Sequence, residues 1–263
     1  MSQKLSEAKS LDEISHEQLH LMSGVDNIAR SMIKTRFHHW GFVIYRCAYG
    51  DDAPWGRYLE YMKATTLRVL DRRHRRRLLE QYLEWTVIDN RKKLDGASKA
   101  DAKKLFRNWC ANRSETRDGA GARGRAIEGP DIDITQLPLG CYVSRGRLLE
   151  GRPVGSLPRF KYCLYVDQKC LDKFKDMEEA RTKITDDYEL RKFDAMEGAA
   201  VGIIIDRLFK PKRIRGPTTE DSNPVGDSST LTYSGWLEVD LSYLVSVYSD
   251  LHWTSLDKLQ ESK

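Results

Sequence analysis

Apolar and polar positions along the chain form short strand-like and helix-like patterns, which predict a mixed fold. Phe37 to Tyr49 is rich in aromatic and β-branched residues and predicts a buried central strand. Ala199 to Phe209 is the most apolar run of the sequence and predicts a second central strand. Similar but shorter patterns predict three more strands, at Trp85 to Ile88, Phe160 to Asp167 and Tyr233 to Val239.

Helical patterns follow several of these strands. The turn Gly50-Asp51-Asp52 leads into a helix whose apolar residues recur at i, i+3, i+4 and i+7 from Trp55. Ser98 has the position of an N-cap before a helix that carries Phe106 and Trp109. Two more helices are predicted, one from Cys170 to Met177 and one from Leu241 to Trp253.

This order of elements predicts the fold class and the division of the chain. A strand, a helix and a strand occur in succession twice, which favours an α+β domain with a ferredoxin-like, mostly antiparallel sheet and helices on one face. We assign residues 31–256 to this single domain and residues 1–30 to a polar N-terminal tail. Gly, Arg and Pro are frequent in residues 112–158, which predicts a surface insertion, and residues 210–230 predict a second loop.

Composition places the chain among ordinary globular proteins. Its 263 residues are 40% hydrophobic and 32% charged, enough to bury one full core. Apolar runs stay well short of the roughly 20 residues that cross a bilayer, and the N-terminus is polar, so we expect a cytoplasmic protein without membrane contact. The five cysteines are scattered and lack the spacing of a metal site. We therefore expect reduced thiols, no metal and no cofactor.

A basic segment stands out within the formal net charge of +5. It precedes apolar residues at helical spacing and predicts an amphipathic helix with a basic first turn. Guanidinium groups contact phosphates directly, so the segment is a candidate RNA-binding surface. The alternative is a solvated helix face balanced by acids such as Glu80 and Glu84. The arginines concerned are Arg72, Arg73, Arg75, Arg76 and Arg77.

Candidate catalytic residues come from two acidic clusters, because the common phosphate-binding, dinucleotide-binding, zinc-protease and nucleophile-elbow motifs do not occur in the sequence. Asp51 and Asp52 follow the first central strand, and Tyr45 and Arg46 lie near the same strand end, so the four predict a polar pocket. Helix capping is the alternative for this pair. The second cluster is Asp186, Asp187 and Glu189, for which a solvated acidic surface is the alternative.

Several of these segments carry a resemblance to known sequences. Trp40-Gly41-Phe42-Val43-Ile44-Tyr45-Arg46, and then Tyr49-Gly50-Asp51-Asp52 with Trp55, resemble a widespread family of filamentous-ascomycete proteins. The chain is also similar to the fungal arginine-containing cyclodipeptide synthases. That resemblance implies a ligase of secondary metabolism that condenses arginine with a second amino acid, both delivered as aminoacyl-tRNAs, into a cyclic dipeptide. The Asp-Asp-x-x-Glu signature of that group has no copy here, since residues 186–189 are one spacer shorter.

Two other functions remain open at the level of sequence. A non-catalytic RNA-binding module would bind RNA with an affinity that falls steeply as salt rises, and it would form no product. An accessory or interaction protein of a biosynthetic pathway would instead expose an apolar patch on its sheet or its terminal helix.

Overall fold

One five-stranded sheet organises the protein. The structure, a computed structural model, describes residues 8–118, 154–189, 193, 200–210 and 233–261, so most of the predicted insertion and of the second loop lies outside the described residues. The strands lie in the order β2-β1-β3-β4-β5. Their bounds are β1 Val43–Arg46, β2 Thr86–Ile88, β3 Tyr162–Val166, β4 Val201–Asp206 and β5 Trp236–Asp240.

Helices connect and cover these strands. The α-helices are α1 His16–Leu21, α2 Asp26–Thr35, α3 Asp52–Arg72, α4 Arg76–Leu79, α5 Arg91–Leu94, α6 Lys99–Ala111, α7 Glu115–Asp118, α8 Pro158–Lys161, α9 Gln168–Thr182, α10 Leu244–Asp250 and α11 Leu256–Glu261. Short 3-10 helices occur at Leu11–Glu13, Glu80–Tyr82, Val154–Ser156 and Leu241–Tyr243. Among the helices of the described ranges, none combines the length and the apolar composition needed to span a lipid bilayer.

The strand directions differ from those expected of a ferredoxin-like sheet. β1 pairs in parallel with both β2 and β3, whereas β3–β4 and β4–β5 are antiparallel. The mixed α and β character is confirmed, but a mostly antiparallel, ferredoxin-like sheet is not, because the sheet is mixed. The long helix α3 between β1 and β2 accounts for the first parallel pair, since a parallel neighbour requires a crossover that returns the chain to the same end of the sheet.

Helices cover both faces of the sheet. Tyr45 of β1 contacts Phe106 of α6, with ring centroids 6.3 Å apart. The next residue, Arg46, places its guanidinium 5.3 Å from the ring of Trp55 on α3. Consecutive side chains of a strand point to opposite faces, so α3 and α6 lie on opposite sides. The prediction of helices on one face is therefore wrong, because the crossovers around β1 use both sides.

Helix α3 approaches the sheet closely at β4. The buried hydroxyl of Tyr58 donates a hydrogen bond to the backbone oxygen of Val201 at 2.7 Å. Gly202 permits this approach, since a Cβ there would lie 2.8 Å from Cδ1 of Leu164 and 3.2 Å from the Tyr58 hydroxyl. Phe174 of α9 also packs edge-on against Tyr58 at 5.6 Å, which places α9 beside α3.

Residues 8–36 contribute to the core. Helix α2 crosses the predicted boundary at residue 30, and its residues Ile28, Ala29 and Met32 are fully buried. Helix α2 packs against α10 near the C-terminus. The apolar residues of this segment therefore pack against the rest of the domain.

Candidate functional site

The carboxyl ends of three parallel strands meet at one edge of the sheet. β1 is followed by the segment to Asp52, β2 by Asp89 and Asn90, and β3 by Asp167. Ligands of open sheets with parallel strands bind in the crevice outside these carboxyl ends. This edge is therefore the candidate ligand-binding site.

A buried arginine gathers polar residues at this edge. We call Arg46, Tyr49, Asp52, Trp55 and Asp89 the Arg46 cluster. Arg46 is only 5% exposed and donates from Nε to the backbone oxygen of Ala48 at 3.0 Å. Its Nη1 donates to Asp89 at 3.2 Å, and its Nη2 donates to Asp52. The rings of Tyr49 and Trp55 lie 4.5 and 5.3 Å from the guanidinium carbon, within the range of cation–π contacts.

The two carboxylates of the Arg46 cluster also face solvent. The Asp52 side chain is 87% exposed and that of Asp89 is 46% exposed. The hydrogen bond from Arg46, aided by its charge, lowers the pKa of Asp52. Burial alone would lower the pKa of Arg46, but its bonds to Asp52 and Asp89 outweigh burial and raise it. Each carboxylate has about four acceptor positions, so both can accept further bonds from a cationic ligand.

Tyr49 adds a hydroxyl to the same cluster. Burial, together with the neighbouring Asp89 carboxylate, raises the pKa of Tyr49 to about 12. The phenol therefore stays protonated at neutral pH and can act only as a hydrogen-bond donor or acceptor. Its hydroxyl oxygen is buried, so Tyr49 supports the cluster from inside and does not face solvent.

Two residues of the predicted pocket have other positions. Asp51 caps α3, because its Oδ1 accepts a bond from the backbone NH of Ala53 at 2.9 Å. This is the capping alternative, and it directs the carboxylate along the helix end. Tyr45 points to the opposite face from Arg46 and is buried against α6. Burial strongly raises its pKa, so its hydroxyl is also a neutral group.

Tyr45 instead borders a small cavity that opens near the end of β2. The cavity has a volume of about 180 Å³, and its walls include Ile88, Leu94, Leu105 and Trp109. Asn90, the residue after Asp89, also lines it. A mostly apolar cavity of about 150 Å³ is large enough for a benzene-sized group. The cavity lies on the α6 face of the sheet, opposite the face on which Arg46 contacts Trp55.

The second acidic cluster has a local role in the described structure. The Oδ1 atom of Asp186 accepts bonds from the backbone NH groups of Tyr188 and Glu189, both at 2.9 Å, and so caps a helical turn at 187–189. Asp186, Asp187 and Glu189 are all exposed. The contacts of Asp186 tie it to its own turn, as the solvated-surface alternative expects.

The basic segment forms a corner instead of the start of one helix. α3 continues to Arg72, His74 then adopts a left-handed backbone conformation with φ of 54°, and α4 begins at Arg76. Arg75 pairs with Asp26, and Arg76 pairs with Asp71 and Glu80 at 2.9 and 2.7 Å. These two predicted RNA contacts therefore serve intramolecular ion pairs.

The remaining predicted RNA contacts lie on the surface of that corner. Arg72, Arg73 and Arg77 are all exposed.

Within the described ranges, no group of three or more His, Cys, Asp or Glu side chains is arranged to hold a metal ion. Burial raises the pKa of the Cys47 thiol to about 12, which keeps this cysteine protonated beside the cluster's strand.

Sequence reasoning missed Asp89, Asn90 and Tyr49. The signal for Asp89 is that an acid follows β2 just as an acidic pair follows β1. Only a parallel pairing of the two strands brings these acids to one edge, and an antiparallel sheet would have separated them. Tyr49 is recognisable in the sequence as an aromatic residue at the strand end, but its position near Asp89 is not.

Comparison of the chain with protein-family models, with curated proteins and with solved structures finds no match. The site is therefore interpreted from its own geometry and chemistry.

Proposed function

We propose that this protein is a synthase that condenses arginine with a second amino acid into a cyclic dipeptide, using aminoacyl-tRNAs as substrates. The single observation that carries the proposal is the pair of solvent-facing carboxylates, Asp52 and Asp89, at the carboxyl edge of the parallel strands. A carboxylate binds a guanidinium through charge-assisted, often bidentate hydrogen bonds. An arginine substrate carries this group.

The reaction requires two acyl transfers and no redox step. The amine of one aminoacyl group attacks the ester carbonyl of the other, forms the first amide bond and releases one tRNA with a free 3′-terminal hydroxyl. The amine of the resulting dipeptide ester then attacks the remaining ester, closes the ring and releases the second tRNA. Each amide bond formed replaces one ester bond. Each attacking ammonium loses two protons, of which one ends on the hydroxyl of the released tRNA and the other passes to water or to a base.

The Arg46 cluster suits binding in this scheme. Because Arg46 lowers the pKa of Asp52, the carboxylate stays ionised at neutral pH and is a weak base. We therefore assign to Asp52 and Asp89 the anchoring of the arginine substrate.

A non-catalytic RNA-binding module is the second candidate. The observation that favours it is the exposed arginine set at the end of α3, Arg72, Arg73 and Arg77. Such a module would bind RNA without changing it, so the two candidates differ in product and share a partner.

Mass spectrometry of small molecules separates the candidates. The protein is expressed in a heterologous host, with an empty vector as control, and RNA that copurifies with it is analysed in the same preparation. The proposal predicts a new species with the mass of cyclised arginine plus one other residue. Copurified tRNA without a new product would favour the RNA-binding module and would reject the synthase.

A further inference from the structure

A groove runs along the outer side of the sheet's helical layer, between α3 and α9. It has a volume of about 360 Å³. Its floor is apolar and includes Tyr61, Phe174 and Met177, and the rings of Tyr61 and Phe174 lie 5.5 Å apart. Arginines line it from both helices, so the groove combines an apolar base with cationic walls.

The arginines follow the helical repeat of α3. Arg57, Tyr61, Ala64 and Arg68 are spaced i, i+4, i+7 and i+11, which places them along one face of the helix. With a rise of 1.5 Å per residue, Arg57 and Arg68 are separated by about 16 Å along the axis. The two arginines therefore lie about three turns apart on α3. The spacing therefore fits an extended polyanion better than a single small anion.

Charge in the groove is positive overall, though acids are present. Three arginines, Arg57, Arg68 and Arg181, line it together with Glu60 and Glu178. Glu178 is already paired with Arg57, through Nε at 3.0 Å. The charges of this pair offset each other, so the net positive charge of the groove comes from Arg68 and Arg181 against Glu60. Arg68 is exposed.

Further arginines follow on α3 between the groove and the basic corner. Arg72 follows Arg68 by four residues and so lies on the same face of α3, and the exposed Arg73 comes next. The cationic surface thus extends from Arg57 to the end of the helix. This arrangement differs from the sequence prediction, in which the arginines from Arg72 to Arg77 formed the surface by themselves.

We propose that the α3–α9 groove binds the sugar-phosphate backbone of tRNA, with the arginines on successive phosphates and the half-buried Tyr61 beside a base. Guanidinium contacts to phosphate supply most of the affinity of such surfaces, and an aromatic ring adds stacking that tolerates any base. The inference rests on the proposed use of aminoacyl-tRNA, and it names the part of the molecule that holds that substrate.

Binding of purified full-length protein to labelled tRNA, measured by fluorescence anisotropy across a series of salt concentrations, tests the groove. Arg68→Ala should reduce the slope of log affinity against log salt by about one. That change corresponds to about tenfold weaker binding at 0.1 M salt, converging with the wild type near 1 M. Arg68→Lys keeps the charge and should recover most of the slope. Circular dichroism confirms that each variant is folded.

The matched control is Lys63→Ala. Lys63 is exposed on the same helix but does not line the groove, so its loss should leave the slope within about 0.3 of the wild type. Equal effects of Arg68→Ala and Lys63→Ala would overturn the inference, as would an Arg68→Ala variant that binds like the wild type. Displacement of tRNA by inorganic phosphate at equal phosphate concentration would also overturn it, because it would reveal a single-anion site.

The result for the groove can be told apart from the result for the proposed reaction. If the cyclic product forms but Arg68 does not affect tRNA binding, the synthase stands and the groove assignment is lost. If Arg68 governs tRNA binding but no product forms, the groove is an RNA-binding surface and the synthase is rejected.

Discussion

Replacement of Arg159 by Met is expected to destabilise the fold strongly. Arg159 is 1% exposed and holds together the segments that enter β1 and β2. Its Nη1 donates to the backbone oxygens of Gly41 and Glu84 at 3.1 and 2.8 Å. Its Nη2 donates to the Glu84 carboxylate at 2.8 Å and to the Thr86 hydroxyl at 2.6 Å. Met keeps an unbranched apolar stem but removes all four bonds.

The magnitude follows from what the substitution leaves behind. Removal of one partner of a buried ion pair costs about 3–5 kcal/mol, because the other partner stays desolvated. The Glu84 side chain is 40% exposed and can regain water, which moves the expected loss to the lower end of that range. We therefore expect Arg159→Met to lower the free energy of unfolding by about 3 kcal/mol.

Urea denaturation followed by tryptophan fluorescence and circular dichroism measures this loss. Arg91→Met is the matched control, since Arg91 is 70% exposed and lies 3.6 Å from Asp95 in an i, i+4 pair. Exposed pairs of this kind contribute at most about 0.5 kcal/mol. A loss below about 1 kcal/mol for Arg159→Met, or equal losses for the two variants, would refute the role of Arg159 as a buried clamp.

Three further perturbations probe the same region and the helix packing. The hydrogen bond with His39 holds the pKa of Glu84 at about 2. The stability that the wild type gains over Glu84→Gln should therefore be full above a pH of about 4.3 and should be lost as the pH falls toward 2. Urea denaturation at several pH values measures this difference. Gly41→Ala should lower the free energy of unfolding by roughly 2 kcal/mol or more, because φ is 113° and a Cβ would lie 2.7 Å from a backbone oxygen. Gly56 has open space around it in α3, so Gly56→Ala should raise the free energy of unfolding by about 0.5–1 kcal/mol. Thermal unfolding of both variants measures the two effects. Tyr58→Phe removes a buried hydroxyl bond of 2.7 Å and should cost about 1–3 kcal/mol, and a neutral result would mean that the bond does not join α3 to β4.

Local pattern predicted the elements well where burial is continuous. β3 and β4 fall within the predicted runs at residues 160–167 and 199–209, because their side chains are apolar on both faces. The run at residues 37–49 is almost wholly buried, yet only Val43–Arg46 is a strand. Gly41, with its φ of 113°, interrupts the extended backbone before that point. Burial and strand pairing are different properties, and the sequence pattern reports the first.

Long-range pairing explains the rest. Strand directions depend on how α3 crosses the sheet, which the strand sequences do not encode. Arg75 was predicted to meet RNA, but Asp26, 49 positions away, occupies its guanidinium. Only part of the Arg46 cluster was predicted from the sequence, because the cluster also depends on long-range pairing. Arg46 and Asp52 are close in sequence and were found together, whereas Asp89 joins them only through the parallel pairing of β1 with β2.

The most direct test of the account is product formation by purified protein supplied with arginyl-tRNA and a second aminoacyl-tRNA, measured by mass spectrometry for wild type, Asp52→Asn and Asp187→Asn. Loss of a charge-assisted bond to the substrate guanidinium should reduce the rate of Asp52→Asn by about 10- to 100-fold. Asp187 is exposed in a separate turn, so Asp187→Asn should retain wild-type activity. Full activity in Asp52→Asn together with an inactive Asp187→Asn would contradict the assignment of the site to the Arg46 cluster.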